Sequence, residues 1–236
     1  MYKQIIVILL LAEVLNTSCK KDSYNNIVPT ATLNVINAAP DVPSLNVNLT
    51  STPIAYSLYQ QPIYYATSWE WGLPPGDSPI VIISSLDTSN ALFSGNINLK
   101  AGGIYSLYIL NGIAKGNALF LQDSIPVYQD SLAGVRFINL SPDSHPITIN
   151  LVGNSPSIKE FGPLSYEQIS SFKAYNAKSM NTNGFYDFEV RDQDTGDLIA
   201  TYSWQFSLFK NNTIVISGFV NPLNSSPLTL FPVNNY

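Results

Sequence analysis

Residues 36–49 read INAAPDVPSLNVNL, and residues 138–151 read INLSPDSHPITINL. The two stretches share Ile36/Ile138, Asn37/Asn139, Pro40/Pro142, Asp41/Asp143, Asn48/Asn150 and Leu49/Leu151, each pair 102 residues apart. Leu45, Val47 and Leu49 alternate with Asn46 and Asn48, and Ile147, Ile149 and Leu151 alternate with Thr148 and Asn150, the period of a half-buried strand. Pro40 and Pro142 have no N–H to give a ladder, so each stretch reads as a strand, a turn and a second strand. Asp41 and Asp143 are expected to accept the turn's backbone amides.

A corner spelled twice marks a duplicated unit. With 236 residues and a repeat of roughly 100, the chain accommodates two ordinary domains, each burying its own core. Further alternating stretches fall at 63–69, 79–85, 91–99, 104–110 and 118–121, and in the second unit at 169–175, 185–191, 198–206, 213–217 and 228–231. The intervening PPGD, KAGG, DTGD and KNN are turn chemistries spaced for hairpins. Matching GGIYSLYI with NNTIVISG sets Tyr105 against Thr213, 108 residues apart, so six residues are gained within the second unit.

Charged residues make up 11% of the chain against a usual share of about 25%, and the net charge is −5, so no basic stripe offers itself to phosphates. Nucleic acid is therefore not an expected partner. One Cys and one His allow neither an internal disulfide nor a Cys/His zinc cage. No metal or other cofactor is assigned.

The N-terminus, MYKQIIVILLLAEVLNTSCKKD, carries Lys3, an apolar run from Ile5 to Leu11 and small residues before Cys19. The run is too short to span a bilayer and reads as the core of a secretory signal. Small residues before a single Cys resemble a bacterial lipoprotein lipobox, with Asn16 where Leu is usual and Glu13 interrupting the apolar run. The following CKKD is similar to lipoproteins of the Bacteroidetes. The resemblance implies acylation of Cys19, and thus a membrane held through the N-terminal lipid.

Several side chains are candidates for chemistry. His145 lies in the second corner without a serine-hydrolase elbow and reads as a turn residue. Asp187 and Glu189 share a strand face, which is commonplace on the wet side of a sheet. RDQDTGD at 191–197 has part of a calcium-loop pattern, but Gly196 stands at a ligand position, so a hairpin turn fits better. In YYATSWEWG, Trp69 and Trp71 fall on one face of an extended segment; they either plug the sandwich or, if exposed, stack on sugar rings. Ser124 in DSI and Ser131 in DSL resemble acceptors of Bacteroidetes O-glycosylation.

The strand leading into Asn37, Ala38, Pro40, Asp41 and Pro43, the LPPGD turn at 73–77, and Leu99, Ala101, Gly102 and Tyr105 together resemble the DUF4397 family. That likeness implies an exported bacterial domain, often in tandem and often on lipoproteins, and brings no catalytic residues. The second unit keeps NLSPD but has FKNNT in place of the Ala-Gly turn and lacks the Pro-Gly, as a divergent copy would.

The expected fold is therefore all-β: two tandem immunoglobulin-like antiparallel β-sandwich domains of about seven strands each, after a lipoprotein signal peptide. The expected boundaries are 1–18 for the signal peptide, 19–30 for the lipidated Cys and tether, 31–128 for the first sandwich and 133–236 for the second. The function expected is that of a non-catalytic binding or structural module of the cell envelope, in an outer-membrane lipoprotein facing the periplasm or the surface. Its partner would be a glycan or an envelope protein. The alternative is a glycan-binding accessory protein or enzyme in polysaccharide handling.

Overall fold

The computed structural model describes residues 29–50, 52–54, 61–111, 117–178, 184–221, 223 and 226–235. Cys19 and the expected signal segment lie outside the described residues.

Among the described residues the first unit has eight strands: β1 (Ala31–Asn37), β2 (Ser44–Asn48), β3 (Ile63–Tyr64), β4 (Ser68–Leu73), β5 (Gly76–Ser84), β6 (Ala91–Leu99), β7 (Ile104–Asn111) and β8 (Asn117–Gln122). The second has β9 (Leu132–Leu140), β10 (Ile147–Leu151), β11 (Phe161–Leu164), β12 (Lys173–Asn176), β13 (Phe185–Asp192), β14 (Leu198–Gln205), β15 (Asn211–Ser217) and β16 (Thr229–Asn235). The sheets run β4-β1-β7-β8 and β3-β2-β5-β6 in the first unit, β12-β9-β15-β16 and β11-β10-β13-β14 in the second. Raising every number of the first pair by eight yields the second pair, so the two units share one topology. Neighbouring strands are antiparallel except β1 with β7 and β9 with β15, which are parallel.

The eighth strand in each unit has a local cause. The 63–69 stretch breaks at Tyr65-Ala66-Thr67, where Ala66 adopts a φ of 62° and the chain passes from the β3 edge to the β4 edge. In the second unit the counterpart β11 is FGPL, where Pro163 is tolerated because β11 is an edge strand.

Strand pairing also corrects the alignment of the two units. Ile36 lies opposite Tyr108 and Ile138 opposite Val215, so β15 follows β7 by 107 residues rather than 108, and the second unit has gained five residues. The single residue matters, because a one-residue slip exchanges the two faces of a strand.

Leu33, Val35, Leu45, Val47, Ile82 and Leu107 build the first core, and Val135, Phe137, Ile149, Phe188, Trp204 and Ile214 the second. A third cluster joins the units: Ile36 and Tyr108 from the β4-β1-β7-β8 sheet pack with Ile138, Val215, Phe231 and Val233 from the β12-β9-β15-β16 sheet. These two sheets are inner layers of a four-layer stack. Every residue of β15 is buried, which explains why TIVIS has no clean alternation. Ser217 Oγ donates to the Ala38 carbonyl at 2.6 Å across the junction. The buried Arg136–Asp123 ion pair also crosses it. Arg136 Nε donates to Thr213 Oγ1 at 2.8 Å, and its guanidinium lies 4.4 Å from the Phe172 ring centroid.

The repeated corner is held by its asparagines. Asn37 Oδ1 accepts the Ala39 N–H, and its Nδ2 donates to the carbonyls of Val42 and Ile63. Asn139 Oδ1 accepts the Ser141 N–H, and its Nδ2 donates to Ser144 Oγ and the Leu164 carbonyl. Both asparagines are fully buried, and each ties the turn to an edge strand, Asn37 to β3 and Asn139 to β11. Asp143 does accept backbone amides, at 2.8 and 3.0 Å, but those of Val220 and Asn221 in the loop after β15.

Candidate functional site

The two units differ at one end of each sandwich. In the first, the KAGG turn places Gly102 at a φ of 71° and lets the chain double back, so that the Tyr105 hydroxyl accepts the Lys100 N–H at 2.9 Å. A Cβ on Gly103 would sit 2.6 Å from the Tyr105 ring, so this approach needs glycine. The Tyr105 ring then stacks on Phe120, centroids 5.3 Å apart and planes 6° apart, and both pack on the first core.

Strand pairing assigns the counterparts of these rings. Tyr105 faces Leu33 as Asn212 faces Val135, and Phe120 faces Leu107 as Pro232 faces Ile214. An amide and a pyrrolidine ring therefore stand where two stacked aromatics close the first unit. The result is a cleft of about 660 Å³ between the ends of β14 and β16, lined by Phe185, Tyr202, Gln205, Lys210, Asn212 and Asn234 with Pro232 beside them. Its polar wall is organised: Asn212 Oδ1 accepts the Trp204 indole N–H at 3.0 Å, and Asn212 Nδ2 donates to Asn234 Oδ1 at 2.8 Å.

Trp69 and Trp71 take different places. Trp71, opposite Leu33, is half-buried against the first core, as the plugging alternative expects. Trp69, opposite Val35, is 48% exposed on the edge strand β4. It borders a shallower cleft of about 380 Å³ with Asn34, Ser68, Glu70 and Asn234. Asn234 thus touches both clefts.

His145, which the sequence treats apart from the RDQDTGD hairpin, is brought to it. Its Nδ1 lies 3.1 Å from Asp192 Oδ2 and 3.7 Å from Asp194 Oδ2. Asp192 Oδ1 accepts the N–H groups of Asp194 and Thr195, and the Thr195 amide is the main reason its carboxyl is held below the ordinary range. Gly196 has the expected positive φ, 78°. The three ligand atoms suit a divalent ion in kind, yet the His145 and Asp194 side chains are 64% and 63% exposed and Asp192 is committed to the turn. The group reads as a surface clip between hairpin and corner. Asp187 accepts a bond from Ser203 Oγ, and Glu189 accepts one from Arg191 Nε. Ser124 is exposed and Ser131 half-buried in the connection from β8 to β9.

Sequence reasoning passes over Tyr202, Gln205, Asn212, Pro232 and Asn234. The one signal available is the replacement of the Tyr-bearing AGGIY turn by FKNNT, a loss that opens space.

Fold and site together define a protein of two β-sandwich units of one topology, with a cleft in the second lined by aromatic, amide and hydroxyl groups. The chain belongs to the family described as "Domain of unknown function (DUF4397)", which matches residues 31–150, just over half of its length. The match covers the whole first unit and the β9–β10 corner of the second. No curated protein matches. Among solved structures, a candidate cell adhesion protein from Bacteroides eggerthii aligns at 9% identity over 89% of this chain and 97% of its own, with a TM-score of 0.27. A candidate adhesin from Bacteroides ovatus aligns at 11% identity over 87% and 92%, with a TM-score of 0.22. Scores this low carry no weight for fold or function.

Proposed function

We propose that the protein is a lipid-anchored component of a bacterial cell envelope that acts as a non-catalytic binding module, its second unit being a divergent copy of the first. The observation that supports this most is the lining of the second unit's cleft, where one cation, Lys210, stands among aromatics and amides, groups that bind rather than react. The two acidic side chains that share a face of β13, Asp187 and Glu189, are engaged by Ser203 and Arg191. The sequence before residue 29 supports the anchor, with acylation at Cys19 and a short tether ahead of β1. Ser124 is proposed as the better of the two O-glycosylation acceptors because it is the more exposed. A role beside polysaccharide-handling enzymes is favoured over a purely structural one by the cleft itself.

Fractionation of cells carrying Cys19→Ala tests the anchor. The variant is expected in the soluble fraction and free of radiolabelled palmitate, because two or three acyl chains, at about 0.8 kcal/mol per buried methylene, are what holds the wild type. Full retention of the variant on membranes would remove the lipid from the account.

A further inference from the structure

We infer that the mouth of the second sandwich, between the ends of β14 and β16, is a binding site for a neutral oligosaccharide. The inference rests on reading the protein as a binding module and names the ligand class.

The first argument is the internal comparison. One topology occurs twice, and in the first unit this mouth is filled by the stacked rings of Tyr105 and Phe120. Asn212 and Pro232 replace them; Trp204, at the register of Ile97, fills the space behind Asn212, and the cleft remains in front of it. At about 660 Å³ the space falls within the range of small-molecule sites, roughly 300–1,000 Å³.

The second argument is the chemistry of the lining. A pyranose presents a flat face of C–H groups and an edge of hydroxyls that both donate and accept. Tyr202, Phe185 and the exposed Pro232 ring supply flat apolar surface, with Phe185 44% exposed. Gln205 and Asn234 supply amides, which match hydroxyls in both directions without burying an ion. The Trp204–Asn212–Asn234 chain fixes the orientation of the Asn234 amide before any ligand arrives. Lys210 is exposed at the rim, and a single solvated cation is a poor receptor for a phosphate or a polyanionic sugar. Because Asn234 also lines the cleft beside Trp69, a bound chain has room to continue past it, which favours an oligosaccharide over a single sugar.

The test uses full-length protein on an array of neutral oligosaccharides from glucans, mannans, xylans, galactans and N-acetylglucosamine polymers, followed by calorimetric titration of whatever binds. Pro232→Phe restores the residue type found at position 120 and should fill the mouth, weakening binding by about tenfold or more. Gln205→Ala changes an exposed rim residue, cannot plausibly unfold the sheet, and should weaken binding several-fold with an unchanged melting curve. The inference is overturned if no neutral oligosaccharide binds, or if Pro232→Phe and Gln205→Ala both bind like wild type. It is equally overturned if Trp69→Ala abolishes binding while Pro232→Phe leaves it intact, which would move the site to β4. None of these results bears on the Cys19 anchor, whose fractionation assay stands apart.

Discussion

Replacing Asn139 by Ala is expected to cost the second unit about 2–4 kcal/mol. The amide is fully buried and serves three partners: it accepts from Ser141 N–H at 3.1 Å and donates to the Leu164 carbonyl at 3.1 Å and to Ser144 Oγ at 2.9 Å. Ser144 keeps a second bond, to the Ser141 carbonyl, so its loss is partly covered. Ser141 N–H has no second bond among the described residues, whereas Leu164 also pairs with Ile147 across the ladder. Both residues are buried, and each backbone group left without a partner costs about 1–3 kcal/mol. Asp143→Ala should cost less, about 1 kcal/mol, because the amides of Val220 and Asn221 that it serves are exposed and can turn to water. Urea unfolding of the full chain, followed through the buried Trp204, measures both. Asn139→Asp sharpens the comparison: a carboxylate still accepts from Ser141 but confronts the Leu164 carbonyl with another acceptor, so it should be no better than Ala at neutral pH. The reasoning fails if Asn139→Ala costs no more than Asp143→Ala, or if Asp rescues position 139.

Other consequences concern the junction. Burial pushes the Tyr108 phenol up to about 12. Both states hold this proton at neutral pH; as pH rises from about 10 towards 12 the unfolded chain loses it first, so stability should fall by on the order of 2–3 kcal/mol, and Tyr108→Phe should remove that part of the alkaline loss in paired melts. Arg136→Met strands the buried Asp123 carboxylate and should cost about 3–5 kcal/mol in chemical unfolding, much of it recovered when Asp123→Leu is added. Calorimetry of the whole chain should give one transition, because the third core couples the units; residues 133–236 alone should melt lower with Val215, Phe231 and Val233 exposed. Two transitions, one coinciding with the isolated second unit, would show that the coupling is negligible.

The repeated corner made the fold legible, because a two-residue period and a proline that cannot pair are local signals. Leu45, Val47, Ile147 and Ile149 lie in the cores where alternation puts them. What stayed hidden depends on partners distant in the chain. Nothing in NVIN or RFINL says that both faces of β1 and β9 are covered, since the second cover is the other unit. Asn37 and Asn139 were visible as repeated letters, but Asp is the commoner turn acceptor, and only burial shows that the amide is needed as donor as well. The tryptophans drew attention by size, and Trp71 packs half-buried against the first core. The cleft arises from residues that are absent, the rings that Asn212 and Pro232 do not supply, and a missing ring is seen only against the first unit in the correct register.

The most direct test of the account is nitrogen-labelled NMR of the protein, with side-chain amides assigned, titrated with the best oligosaccharide from the array. The account predicts that the amides of Gln205, Asn212 and Asn234 shift together and saturably, and that the sugar is recovered uncut. Silence at these three amides while the sugar binds, or cleavage of the sugar, would contradict it.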